Sequence, residues 1–481
     1  MSSKILVANR SEIAVRIINE CKKLGIKTVA ICSDIERGAL HMRIADEGYC
    51  IGSAPPNNSY MNMEAIVNAA IVTKASMVHP GYGFLSENKA FAKLCEQHDI
   101  SFVGPASSVL TQVSDKYSAK QIAVSQRVPV LTGFLAENAN DALMWINEIG
   151  YPVMIKMSNG GGGVGITSVF CDEEVKKVFE MFQTSKKGKL FIEKFIERAR
   201  HIEVQIMADK YGNIVTIGSR ECSIQSNNKK VLEECPAHCL SDRLLNNLYA
   251  CSLKMAKAVN FVGVGTLEFL VDEFENYYFM EMNARIQVEH GITEMISGLN
   301  LVQWQIRIAL GDKIPFTQDD IILNGHALEC RINVESYGRL GGWRLESSEA
   351  RFDHALTDGI SFTPYYDSML GKLISHGRTR SEAIGKMRGY LDGLHIMGIE
   401  TNIEQHKNIL NSDCFVNGIY FTNFLSNKEE QRSVELEEPL LAGSGSSAVD
   451  KSKSFSWLRD SFETLFKNKE VYTRTGHKVH A

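Results

Sequence analysis

Short apolar runs alternate with amphipathic stretches through the first hundred residues. Lys4–Ala8 and Thr28–Cys32 read as strands, and Ser101–Val103, running into Gly104-Pro105, as another. Between them Glu12–Leu24 reads as a helix, because Ile13, Ile17, Cys21 and Leu24 fall on one face at a period of about 3.6 residues. This βαβ grammar predicts a parallel sheet with helices on both faces. Near residue 112 the pattern gives way to helices rich in Ser, Ala and Gln. Residues 127 to 200 read as a small α+β insert with Val153–Lys156, a glycine run and Leu190–Glu193. Longer alternating strands follow: Val204–Ala208, Ile214–Ser219, Thr266–Val271 and Tyr277–Met282 predict an antiparallel sheet. A helix across Leu301–Leu310 and a mixed segment reach Leu425. Beyond it, acidic Glu435–Glu438 and Gly/Ser-rich 441–454 read as a linker, and Phe455, Leu458, Phe462, Leu465 and Phe466 recur at helical spacing.

Composition narrows the class without naming a function. The chain has 481 residues, 44% hydrophobic and 23% charged, which excludes disordered, collagenous and disulfide-scaffold proteins. A formal net charge of -5 gives no reason to expect nucleic acid or an anionic membrane as partner. The 11 cysteines lack CxxC spacing and read as reduced thiols. With no signal peptide and no apolar run approaching the ~18 residues of a spanning helix, a cytoplasmic enzyme is expected.

Two segments carry candidate chemistry. Ser158–Gly165 contains four consecutive glycines after a strand ending in Lys156, a pattern that lets backbone N–H groups wrap phosphate oxygens beside a cation. It is neither a Walker A loop nor a GxGxxG turn; the competing reading is a flexible hairpin tip. In Glu281–Glu289, if extended, the odd positions Glu281, Asn283, Arg285, Gln287 and Glu289 share a face, while the even positions Met282, Ala284, Ile286 and Val288 are apolar. Antiparallel pairing through the turn Asp272–Asn276 would bring Glu268 near Glu281, two hard oxygen donors for Mg²⁺; a solvated sheet face explains the alternation equally well. On spacing alone His79–Asn88 is a structural turn, Lys229-Lys230 a solvated pair, His201 structural, and Arg331 a salt-bridged or snorkelling side chain.

Taken in order, these segments resemble the biotin carboxylase family of the ATP-grasp superfamily, from Lys4 to about Leu425. The resemblance rests on Ala8-Asn9-Arg10, His79–Asn88, Lys116, the glycine loop, Arg200–Glu203, Glu221–Gln225, Glu268, Glu281–His290, Glu329–Asn333 and Tyr365–Met369. It implies that ATP and bicarbonate form carboxyphosphate, whose CO₂ passes to N1′ of biotin on a partner protein. Lys116, Lys156, Gly161, Gly162 and Gly163 would hold the phosphates, the loop closing as a lid. Glu193, Lys194, Ile196, His201, Gln225 and Leu270 would line the nucleotide. Glu268, Glu281 and Asn283 would hold Mg²⁺ or Mn²⁺. Lys230, Arg285, Gln287 and Val288 would fix bicarbonate, Glu289 would take its proton, Arg331 would stabilise the biotin enolate, and Tyr82 would border the biotin pocket.

The chain departs from the family pattern at several points. Ser11 replaces a glycine, Asn159 a small residue, and Val164 a basic one. Ser226-Asn227-Asn228 stands where a basic run is usual, Tyr337–Arg344 replaces a Pro-Ser-Pro-Gly stretch, and Gly291 replaces a proline. Removing cations beside a polyphosphate could weaken ATP binding by roughly 1–3 kcal/mol each where desolvated. The expected fold is ATP-grasp, mixing α/β and α+β: a doubly wound domain (1–112), linker helices and lid (113–200), an antiparallel-sheet region (201–425) and a tail (426–481). Biotin carboxyl carrier protein and carboxyltransferase are expected as separate chains, because only Lys254-Met255 faintly echoes an Ala-Met-Lys-Met acceptor. Family members are commonly homodimers. The alternatives are a non-catalytic homologue, or an ATP-grasp enzyme with another acceptor. The final acyl acceptor belongs to the carboxyltransferase.

Overall fold

Alternate residues of the first strand enter two different cores. In the computed structural model, which describes residues 3–157, 166–183 and 190–426, Ile5 and Val7 pack with Ile13, Ile17, Leu301 and Ile306. Leu6 and Ala8 pack instead with Val29, Ile66, Phe91 and Ile100. That two-sided burial is what a parallel strand requires. Five parallel strands form this sheet, in the order Glu47–Gly52, Lys27–Ser33, Lys4–Val7, Met77–His79, Ser101–Phe102. Its helix Ser11–Lys23 begins one residue before the expected start.

The chain forms two compact units. The larger holds the described parts of residues 1–131, 197–226 and 230–433; the smaller holds those of 132–196 with 227–229. The smaller unit is a four-stranded antiparallel sheet, ordered Gly133–Ala136, Leu190–Lys194, Val153–Met157, Ile166–Val169. Ala142 and Ile146 of helix Ala139–Ile149 and Val175 of helix Asp172–Gln183 close its core over Val153, Ile155 and Ile192.

An eight-stranded sheet dominates the larger unit. Its order is Tyr277–Asn283, Gly263–Asp272, Ala199–Ala208, Ile214–Ser226, Lys229–Cys235, His326–Asn333, Met369–Gly377, Arg351–His354. One face is apolar. Ile202, Val204 and Ile206 meet Leu244, Leu248 and Met255 of helix Asp242–Ala258. Leu328, Cys330 and Leu373 meet Ile384 and Met387 of helix Arg380–Asp392. The intervening residues His201, Glu203 and Gln205 are polar yet buried, so the opposite face is an interior too. Met255 is fully buried within its helix, which removes Lys254-Met255 as a biotin acceptor.

Two expectations need correction. The strand expected over Val204–Ala208 starts at Ala199, because Arg200–Glu203 continue the same alternation. The extended reading of Glu281–Glu289 fails after Asn283: the strand stops there and a turn leads into helix His290–Ser297. The glycine loop 158–165, with Gly161, Gly162 and Gly163, and the apolar spacing at 455–466 lie outside the described residues.

Candidate active site

Three carboxylates stand in a row on the polar face. Register places Glu203 opposite Glu268, and Glu268 opposite Glu281, with Arg220 on the far side of Glu203. Like charges facing each other across strands repel, so the row requires cations. Lys230 is the central one: its Nζ donates to Glu289 Oε1 at 2.6 Å, Glu203 Oε2 at 2.7 Å and Glu268 Oε1 at 3.2 Å. Fully buried Arg220 also binds Glu203, and it donates to Gln205 Oε1 at 2.7 Å and Thr293 Oγ1 at 2.8 Å. Arg331 donates through Nε to Glu233 Oε1 at 2.6 Å and through a terminal nitrogen to Glu289 Oε2 at 2.9 Å. Glu289 is therefore clamped between two cations.

The electrostatics follow from that clamp. Burial alone would raise the Glu289 carboxyl, but Lys230, Arg331 and Arg220 outweigh it and hold the group well below its ordinary value. For Glu268 burial again opposes ionisation, and Lys230 and His201 prevail. Burial works against the Lys230 ammonium, yet Cys222 and the three carboxylates raise it well above a normal lysine. The site thus rests with Glu268 and Glu289 ionised and Lys230 charged, whereas burial pushes the carboxyls of Glu203 and Glu233 up from their ordinary value.

The turn after Asn283 brings the remaining residues into the same network. Arg285 Nε donates to Glu87 Oε2 at 2.9 Å, and its terminal nitrogens donate to Asn283 Oδ1 at 2.8 Å and Gln287 Oε1 at 3.1 Å. Glu87 Oε1 also accepts the Ala284 N–H at 3.1 Å, pinning the 79–88 loop to the turn. Gln287 Nε2 donates to Glu268 Oε1 at 2.7 Å, and the Val288 carbonyl accepts from Lys372 Nζ at 2.6 Å. Asn9 holds the 79–88 loop from beneath, donating to the carbonyls of Pro80 and Tyr82, each at 2.7 Å. Gly81 is required there: at φ +63° a Cβ would meet Asn9 Nδ2 at 2.9 Å. The Tyr82 hydroxyl donates to Glu12.

The side chains expected to hold a metal converge. Asn283 Nδ2 lies 2.9 Å from Glu268 Oε1 and 3.3 Å from Glu281 Oε1, so both carboxylates point at one amide. Two carboxylate oxygens aimed at a common point suit a hard divalent cation such as Mg²⁺. Lys116 Nζ, at the start of helix Lys116–Ser125, lies 3.5 Å from Glu281 Oε2. His201 Nε2 meets Glu268 Oε2 at 2.9 Å, its Nδ1 meets Gln225 Nε2 at 2.8 Å, and Leu270 is its cross-strand partner.

In the smaller unit Lys156 Nζ contacts Glu193 Oε2 at 2.5 Å, from adjacent strands. Lys194 Nζ donates to the carbonyls of Tyr151 at 2.8 Å and Gly150 at 3.1 Å, and half-buried Ile196 follows that strand.

Several residues of the network escaped the sequence reading: Glu203, Arg220, Glu233, Glu87, Glu12 and Lys372. The polar alternation His201, Glu203, Gln205 was the available signal for the first. Three departures also find causes. Ser11 sits at φ +57°, where glycine is at ease and serine is strained. Asn227 and Asn228 take φ +50° and +60° between adjacent sheet strands, the left-handed geometry that asparagine tolerates in two-residue hairpins. A Cβ on Gly291 would come within 2.5 Å of Ile374 Cδ1, so the Ile374 side chain would have to shift to admit a larger residue.

Comparison with known proteins agrees with this fold. The family models for the biotin carboxylase N-terminal domain, the ATP-binding domain of carbamoyl-phosphate synthase L chain and the biotin carboxylase C-terminal domain match residues 1–110, 115–317 and 329–427. Biotin carboxylase of a Nostoc species is 44% identical over 439 residues, covering 88% of this chain and 98% of that protein. The biotin carboxylase domain of Hydrogenobacter thermophilus 2-oxoglutarate carboxylase, a dimer solved with MgADP, ADP and bicarbonate, superposes with a TM-score of 0.87 at 41% identity, covering 90% of this chain and 98% of that one. Campylobacter jejuni biotin carboxylase gives a TM-score of 0.85 at 38% identity, over 89% of this chain and 99% of that one. With family models spanning nearly its whole described length, the chain belongs to the biotin carboxylase family.

Proposed function

We propose that the chain uses ATP and bicarbonate to carboxylate biotin carried on a separate protein, as one subunit of a biotin-dependent carboxylase. The observation that carries this reading is Glu289 held between Lys230 and Arg331 beside the Arg285–Gln287 turn. A bicarbonate anion suits Arg285 and Lys230, with Gln287 and the Val288 backbone orienting it. Its negative charge draws on Lys230, and a third anion beside Glu289 raises that carboxyl toward a useful basicity. Glu289 then takes the bicarbonate proton as the conjugate oxygen attacks the γ-phosphorus of ATP, forming carboxyphosphate and ADP. Glu268, Glu281 and Asn283 would hold Mg²⁺, which would supply charge neutralisation for the transferring phosphoryl group. Carboxyphosphate then divides into CO₂ and phosphate, the phosphate accepts the N1′ proton of biotin, Arg331 stabilises the resulting enolate as N1′ attacks CO₂, and Tyr82 walls the pocket.

Nucleotide-facing roles in the larger unit belong to Lys116, His201, Gln225 and Leu270; Lys156, Glu193, Lys194, Ile196 and the phosphate loop Gly161, Gly162 and Gly163 take theirs from the family resemblance. We assign 1–112 to the N-terminal domain, 113–200 to linker and lid, 201–425 to the C-terminal body and 426–481 to a tail. Carrier protein and carboxyltransferase come as separate chains, and the active form is a homodimer. All 11 cysteines are free, the state of a reducing compartment such as the cytoplasm. Among the described residues no helix is long and apolar enough to cross a membrane.

ATP cleavage with Mg²⁺ and bicarbonate, measured with and without free biotin, tests this reading. Biotin should stimulate turnover, and Glu289→Gln should lower it by about 100-fold or more. No turnover together with no nucleotide binding would make the chain a binding subunit instead.

A further inference from the structure

Lys372 stands in the strand Met369–Gly377 with its side chain fully buried. Register sets it opposite Arg331 on one neighbouring strand and Asp353 on the other. A buried ammonium is costly unless acceptors meet its N–H groups, so its partners are informative. Nζ donates to the Val288 carbonyl at 2.6 Å, lies 3.3 Å from Glu12 Oε1, and is 3.9 Å from Asp353 Oδ2. Asp353 is already engaged by Arg351 at 2.7 Å, which leaves Val288 and Glu12 as the close partners. Glu12, 2% exposed in the first turn of helix Ser11–Lys23, accepts the Tyr82 phenol on the same Oε1. Among the described residues no other cation forms an ion pair with this carboxylate.

We infer that Lys372 is a positioning residue that ties the two halves of the reaction together: through the Val288 carbonyl it fixes the peptide that carries Glu289, and through Glu12 it fixes the Tyr82 ring at the biotin wall. The peptide plane joining Val288 to Glu289 is rigid, so holding the carbonyl oxygen sets where the Glu289 side chain departs. Misplacement of a reacting group by about 1 Å is enough to cost ~100-fold in rate. Among the described residues the Tyr82 hydroxyl has no such backbone tie and hydrogen-bonds only Glu12. The inference rests on the carboxylase reading above.

Lys372→Met and Glu12→Gln, compared with the wild-type chain, separate the two ties. Bicarbonate-dependent ATP cleavage and carboxylation of free biotin are measured independently, with thermal unfolding and ADP binding as controls on folding. Lys372→Met should lower kcat for bicarbonate-dependent cleavage about tenfold or more and also raise KM for biotin, with KM for ATP little changed. Glu12→Gln leaves the Val288 tie in place, so it should raise KM for biotin by a larger factor than it lowers bicarbonate-dependent cleavage. A folded Lys372→Met chain with wild-type kcat and biotin KM overturns the inference. Equal effects of Glu12→Gln on both half-reactions overturn it as well, and that variant decides the matter if Lys372→Met does not fold. Wild-type protein lacking biotin-stimulated turnover defeats the carboxylase reading itself, and an active wild type with indifferent variants defeats the inference alone.

Discussion

Glu268 joins the cationic and amide sides of the site, accepting from Lys230, His201, Asn283 and Gln287 at 3.2, 2.9, 2.9 and 2.7 Å. Losing its charge leaves Glu281 as the lone acidic donor on that amide. Glu268→Gln should therefore raise the Mg²⁺ concentration needed for half-maximal ATP cleavage at least tenfold, and a Mg²⁺ titration with chelator blanks reads this directly. The facing pair Glu268 and Glu281 was legible from alternation and a turn. Lys372 was not, because a lysine inside an otherwise apolar strand carries no local signal of what lies opposite it. Glu87 was hidden for a related reason. It belongs to a recognisable motif, but its partner Arg285 lies 198 positions away. Spacing reports neighbours on an element, and these contacts join elements remote in sequence.

At the scale of elements, buried Glu234 fastens three of them and the loop that carries Tyr420. Strand Lys229–Cys235 carries it, and it meets His326 at 2.6 Å, Arg380 at 2.7 Å and the Tyr420 hydroxyl. Burial opposes its ionisation, but the His326 hydrogen bond and Arg380 hold it down at about 2. A carboxyl depressed in the folded state stabilises above its unfolded value of about 4.3, and loses that stabilisation as pH falls toward the folded value. The difference is worth about 3 kcal/mol. Glu234→Gln should lower the denaturation midpoint strongly at neutral pH, and the gap from wild type should close between about pH 4 and 2. Ser11 offers a test of opposite sign. Ser11→Gly relieves the +57° backbone at the entry to helix Ser11–Lys23 and should stabilise by about 0.5–1 kcal/mol, read as a higher urea midpoint. Helices Ser11–Lys23 and Leu301–Leu310 and strand Lys27–Ser33 were legible to within a residue, whereas strands Ala199–Ala208 and Ile214–Ser226 ran several residues beyond their expected ends. The extended reading of Glu281–Glu289 went wrong because polar alternation continued into a turn whose shape is set by Glu87 and Lys372, not by local preference.

At the scale of the whole molecule, the apolar face of the eight-stranded sheet supplies the largest core, and Leu248 and Phe269 lie wholly inside it. Phe269→Ala should cost roughly 3–5 kcal/mol, measured as the loss in denaturant midpoint. The parallel sheet was predictable in kind from its βαβ rhythm, but not the origin of the helix that shares a face with Ser11–Lys23. Helix Leu301–Leu310, remote in sequence, covers Ile5 and Val7. That provenance matters during synthesis. The face built on Leu6 and Ala8 draws its buried partners almost wholly from the first 100 residues, whereas the face built on Ile5 and Val7 waits for Leu301–Ile308. A ribosome adding roughly 5–20 residues per second leaves that second face covered only by helix Ser11–Lys23 for about 10–40 s. The nascent chain therefore passes through a stage in which a finished sheet shows a half-covered oily side, the kind of surface to which holding chaperones bind.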